Sequence, residues 1–232
     1  MKCTGEYFAW GGLPDRIILS GLIIIIMFVC GCVEQQQAPA VNVSDKEDLF
    51  FEGRKLTPIE EQRNNAIKGT QFINKETYTL QVTGMVNRSL NLSYEELLAF
   101  PVADRFLRMN CVEGWGFDAR WTGVTLNSIF NDSGLKPGAK NVIFYCADGY
   151  STSLELDYLT GNDIMLAYRL NNVTLPPERG FPLQLVAEGR YGYKWAKWIT
   201  HIEVTDQPYE GFWESRGYSN TAKVGERAFG IF

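Results

Sequence analysis

The sequence predicts an α+β domain with mixed sheets. Short strand-like runs separated by turn signals recur through most of the chain, helical patterns are few and brief, and no strict strand–helix–strand alternation connects them. At 45% hydrophobic and 13% aromatic over 232 residues, the chain holds enough apolar material for one well-buried core, and a single domain is the simplest count.

The first stretch reads separately. Ile17 to Val29 is almost wholly apolar, follows Arg16 and runs into Cys30-Gly31-Cys32. Its length is short for a membrane span and suits the core of an export signal. A small residue before Cys32 matches a lipobox, in which that cysteine carries lipid and becomes the mature N-terminus. A plain signal peptide or an uncleaved anchor is the alternative, because Glu6 and Asp15 dilute the basic flank. The expectation is an exported protein tethered to the outer face of the cytoplasmic membrane. Residues 1–31 are its signal, 32–55 a flexible tether with little to bury, and 56–232 the folded domain. Asn42, Asn87, Asn91, Asn131 and Asn172 open Asn-X-Ser/Thr sequons, candidate glycosylation sites in an exported chain.

Along the domain, Thr77 to Val86 alternates Tyr78, Leu80 and Val82 with polar residues, a half-buried strand. Ser93 and Glu96 form a capping-box pattern ahead of a short helix over Tyr94 to Ala99, which Pro101 closes. A strand over Arg105 to Asn110 ends at Cys111 and a turn. Trp121-Thr122-Gly123-Val124 precedes a second helix over Leu126 to Asn131. Strands are predicted over Asn141 to Ala147 and Ser151 to Leu156 around the Asp148-Gly149 turn, over Ile164 to Leu170, and over Pro182 to Ala187. Ile199 to Val204 alternates like a strand and carries His201, the chain's one histidine, read as a partly exposed strand residue.

Three pieces carry chemistry. Cys111 sits at a strand end beside polar groups, where a soft thiolate can attack an electrophile, pair with another thiol or bind a thiophilic metal. Gly189 to Trp198 holds two glycines that let backbone amides approach an anion, with Arg190, Lys194 and Lys197 adding charge. Arg179-Gly180-Phe181-Pro182-Leu183-Gln184 is a Gly-Pro turn that leads into that basic loop. A single histidine removes most zinc sites and most Cys-His hydrolase arrangements. A Cys111–Cys146 disulfide is open to an oxidised chain, although Cys146 lies in a very apolar run. The net charge of -5 gives no reason to expect a nucleic-acid partner.

Cys111-Val112-Glu113-Gly114-Trp115, Trp121 to Leu126, Gly180-Phe181-Pro182, Gly192 to Trp198 and Gly211 to Tyr218 occur in the order found in the sulfite oxidase-type molybdopterin-binding family. The chain resembles the exported branch that contains periplasmic protein-methionine-sulfoxide reductases, from about Tyr78 to Asn220. The resemblance implies one molybdenum held by a single pterin cofactor and by the thiolate of Cys111. It places Lys194 and Lys197 at the pterin phosphate, with Asn110, Arg179, Gln184, Arg190 and Tyr193 as further cofactor contacts and Tyr150 in the loop over the metal. The chain departs from sulfite oxidases after Cys111, where their arginine-rich run is replaced by Val112-Glu113-Gly114-Trp115. Gln184 stands where they place an arginine, and Arg179 where they place a histidine.

These departures favour reduction of an S-oxide or N-oxide over oxidation of sulfite, since an acidic Glu113 disfavours a small dianion. With no haem-domain sequence recognised, electrons are expected from a separate partner, a membrane protein being one candidate. A metal-free binding lipoprotein that kept the fold is the rival reading.

Overall fold

The computed structural model describes residues 46–230. The apolar run, Cys32 and the Asn42 sequon lie outside them.

The chain enters through a hairpin, β1 (Phe50–Phe51) and β2 (Arg54–Lys55). Residues 46–55, which the sequence placed at the end of the tether, are bound to the fold. Asp48 N donates to the Asn171 carbonyl at 2.8 Å, Glu47 accepts from Asn171 Nδ2 at 2.8 Å, and Arg120 pairs with Asp48 at 2.8 Å while lying over the Phe51 ring.

Next come β3 (Thr79–Gly84), β4 (Leu90–Ser93) and α1 (Tyr94–Leu98), which starts with the expected reciprocal cap between Ser93 and Glu96. Two long strands follow, β5 (Val102–Asn110) and β6 (Gly116–Thr125), paired antiparallel along their whole length. Then come α2 (Leu126–Ser133), capped by Thr125, β7 (Asn141–Cys146), β8 (Ser151–Glu155), α3 (Leu156–Gly161), β9 (Met165–Leu170), β10 (Val173–Thr174), β11 (Gln184–Val186) and β12 (Ile199–Thr205).

Apart from the hairpin, the strands form two five-stranded sheets. One runs β10-β9-β6-β5, with β11 sharing the β10 edge of β9, and is wholly antiparallel. The other runs β4-β3-β12-β7-β8, with β12 parallel to β3 and antiparallel to β7. The second sheet supplies the mixed pairing expected, and α1 to α3 are short. Trp121, Leu126, Phe144, Leu80 and Ile202 belong to one continuous apolar cluster drawn from both sheets.

Gly123 shows why that packing needs its sequence. At the bulge in the β6–β9 ladder a Cβ on this residue would fall inside the Leu166 carbonyl oxygen, so only glycine lets the strands close there. No helix among the described residues is long and apolar enough to cross a membrane.

Candidate active site

The β5–β6 hairpin ends in the tight turn that holds Cys111. Cys111 N donates to the Trp115 carbonyl at 2.7 Å and Gly114 N to the Cys111 carbonyl at 3.2 Å, with Gly114 left-handed at φ 84°. This geometry aims the amides of Glu113 and Val112 at the sulfur. Burial raises the thiol pKa, while those two amides pull it the other way. Cys111 and Cys146 are both free thiols, so the disulfide alternative does not form.

Cys111 opens onto a cavity of about 650 Å³ at the end of both sheets. Tyr150, Arg179, Gln184, Tyr193 and Lys197 line it with Cys111, so six of the residues singled out from the sequence converge. Tyr150 comes from the start of the β7–β8 hairpin return, and its hydroxyl donates to the Tyr193 carbonyl. Its pKa is raised well above that of an ordinary phenol, chiefly by burial.

Arg179 is buried, and its guanidinium donates to the carbonyls of Arg63 at 2.8 Å, Ile59 at 3.2 Å and Gln62. Burial lowers its pKa to about 10. Its Nε and the Gln184 Oε1 are buried with no partner in the protein, one donor and one acceptor. Lys197 donates to Asn64 Oδ1 and to the Asn65 carbonyl at 2.6 Å, and burial with the nearby Arg179 lowers its pKa to about 8.

Three expected residues point elsewhere. Asn110 closes the β5 ladder and bridges to Tyr191. Arg190 lies over the Tyr158 ring and donates to the Thr221 carbonyl at 2.8 Å. Lys194 is turned into the protein, in an ion pair with Glu214. None of the three lines the cavity. His201 is also remote from it, stacked on Tyr145 with centroids 5.1 Å apart and bonded to Thr83 at 2.6 Å.

The structure adds residues that the sequence did not flag. Arg63 to Ile67 line the cavity, and Asn65 Nδ2 donates at 3.2 Å to Glu113, which also accepts from Trp115 Nε1 at 2.7 Å. Phe212, Trp213 and Tyr218, from the Gly211 to Tyr218 motif already marked in the sequence, form an aromatic wall. The polar Arg63-Asn64-Asn65 run has no periodicity that would have marked it.

Among the described residues, no group of three or more His, Cys, Asp or Glu is placed to hold a metal. A metal at Cys111 therefore needs other ligands, as a dithiolene cofactor provides. The cavity's soft thiol, its orphan donor and acceptor, and its lysine fit a metal joined to a polar heterocycle with an anionic tail.

Residues 67–213 match the oxidoreductase molybdopterin binding domain. The chain belongs to that family. This molybdopterin-binding oxidoreductase is 39% identical over 142 residues to an uncharacterised oxidoreductase, YuiH, of Bacillus subtilis, covering 61% of this chain and 72% of that one. It is 33% identical to a putative protein-methionine-sulfoxide reductase subunit of Azospira oryzae, over 63% of this chain and 56% of the relative. It is also 27% identical to the catalytic subunit of a protein-methionine-sulfoxide reductase of Campylobacter jejuni, over 75% and 64%. The matches thus span less than two thirds of both reductase relatives. The sulfane dehydrogenase SoxCD of Paracoccus pantotrophus superposes with a TM-score of 0.59 at 25% identity, over 61% of this chain and 41% of that one.

Proposed function

We propose that this molybdopterin-binding oxidoreductase reduces S-oxides, using electrons from a separate partner protein. The observation that carries this reading is Glu113. Its carboxylate is fixed beside the Cys111 turn by Trp115 and Asn65, and it acts electrostatically on the thiol. A fixed negative charge there disfavours sulfite and tolerates a neutral S–O dipole. The reductase relatives support the same direction.

A bound molybdenum–pterin group supplies two-electron oxygen-atom exchange. In this reading one pterin is present, and the chain's residues hold and shape its surroundings. Cys111 binds the metal through sulfur, oriented by the Glu113 and Val112 amides. Arg179 Nε and Gln184 Oε1 offer a donor and an acceptor to the heterocycle. The Lys197 ammonium has two of its three protons engaged by Asn64 and Asn65, leaving one for a phosphate. Tyr150 stays protonated and holds the Tyr193 carbonyl. The aromatic wall excludes water from the substrate side.

The reading includes export and attachment to the outer face of the cytoplasmic membrane, which the apolar run before Cys32 supports. It is tested with reduced viologen as donor against methionine sulfoxide, dimethyl sulfoxide and trimethylamine N-oxide, and in the oxidative direction with sulfite. Turnover of an S-oxide is expected, and turnover of sulfite alone would overturn it.

A further inference from the structure

We propose that Lys194 is a positioning residue that, with Glu214, fixes the aromatic wall of the cavity and takes no part in holding a cofactor phosphate. An ammonium has three protons to donate. Lys194 gives one to the Ser153 carbonyl at 2.8 Å, one to Glu214 and one to Asn220 Oδ1 at 3.0 Å. Its side chain has no exposed surface, and it is absent from the cavity lining. No proton remains for a phosphate, and the Glu214 carboxylate already neutralises the charge. Lys197 differs on each count: it lines the cavity, is half-buried and retains a free donor.

What Lys194 does hold is the chain after β12. Glu214 lies between Phe212-Trp213 and Tyr218, so the ion pair anchors the wall at its middle. The contacts on either side follow the same seam. Phe212 N donates to the Ser151 carbonyl at 2.9 Å, and Thr152 donates to Glu214. Tyr193 donates to the Ser219 carbonyl at 2.7 Å and packs its ring edge-on against Tyr218 at 5.2 Å. Gly211 passes so close to β8 that a Cβ would fall inside the Ser151 carbonyl oxygen. Glu214 is buried, and its second oxygen has no partner, so Lys194 is the only cation that balances it among the described residues. Removing Lys194 alone leaves a buried carboxylate unpaired and drives the segment outward, whereas removing both charges does not.

The experiment compares Lys194→Met, the double variant Lys194→Met/Glu214→Gln, and Lys197→Met, each expressed as full chain in a cofactor-competent host. Molybdenum and pterin per chain are expected within about twofold of wild type for the double variant and to fall about tenfold or more for Lys197→Met. Amide hydrogen exchange over residues 211–218 is expected to quicken by about tenfold or more in Lys194→Met and to return to within about threefold of wild type in the double variant. In the viologen assay, Lys194→Met should raise KM for methionine sulfoxide several-fold with kcat nearly unchanged. A loss of global stability would instead lower the active fraction and leave KM alone.

The KM measurement rests on the S-oxide reading. Cofactor content and exchange do not, so a wild type inactive on S-oxides would sink that reading and leave this one standing on its own two measurements. Cofactor loss in the double variant matching that of Lys197→Met, or exchange over 211–218 unchanged by Lys194→Met, would overturn the proposal. If Lys194→Met does not fold, cofactor content of the double variant decides.

Discussion

The side chain of Asn65 donates to Glu113 across 48 positions of sequence, at 3.2 Å. The backbone carbonyl of the same residue accepts from Lys197 at 2.6 Å. One asparagine thus ties the thiol turn to a lysine of the cavity lining.

Asn65→Ala removes only the side-chain half of that tie, and should cost about 1 kcal/mol in urea unfolding. Asn65→Asp should cost more, because it sets a carboxylate against Glu113. The gap between the two variants should narrow at high salt. Equal effects at all ionic strengths would show that Glu113 is not held there.

Lys197 gives a pH signature in the cofactor-free protein. Its folded pKa is pushed down to about 8 from the ordinary 10.5, first by burial and then by Arg179. Between those values the unfolded chain binds more protons than the folded one. The penalty on folding is therefore present in full below about pH 8 and is relieved as pH rises towards 10.5. Unfolding free energies of wild type and Lys197→Met, measured near pH 7 and near pH 9.5, should shift in favour of wild type at the higher value. A flat difference would refute the shift.

Gly123→Ala places a methyl group against the Leu166 carbonyl where β6 and β9 close on each other. Neither strand can give way without breaking its ladder, so a loss of about 3 kcal/mol is expected in chemical denaturation.

Ser93→Ala removes the acceptor for the Glu96 amide and should destabilise by about 1 kcal/mol. The Glu96 carboxyl pKa is lowered by its bonds to the Ser93 backbone and side chain. The stability it contributes is present at neutral pH and is lost as pH falls through that lowered value. The gap between wild type and Ser93→Ala should therefore shrink in acid, as thermal melts at a series of pH values would record.

Cys111→Ser should abolish turnover and metal retention while leaving the circular dichroism spectrum unchanged, because the turn around it is closed by backbone bonds. Molybdenum bound at the wild-type level in the purified variant would remove Cys111 as the metal ligand.

Much of the sheet structure was legible. The alternation over Thr77 to Val86, the Ser93–Glu96 cap and the apolar run from Asn141 each fell where β3, α1 and β7 lie. β6 was missed: polar residues mark its first half, and its second half is buried on both faces, so period-two alternation fades along it. The entry hairpin fell within the expected tether because the stretch before it offers little to bury, whereas Arg54 lies over Phe106 and Arg120 over Phe51. At the site, residue types pointed to the right loops. Side-chain direction was not legible in the short turn at Gly192–Lys194, where one lysine turns inward and the next but two faces the cavity. Nor did the sequence show that residues 63–67 would line the same cavity as a thiol more than forty positions later.

The walls of the cavity are contributed by residues from Arg63 to Tyr218, and neither end of that stretch can be left out. A nascent chain still short of Phe212 lacks the aromatic side of the chamber, so a cofactor can be enclosed only after the whole stretch from Arg63 to Tyr218 has left the ribosome.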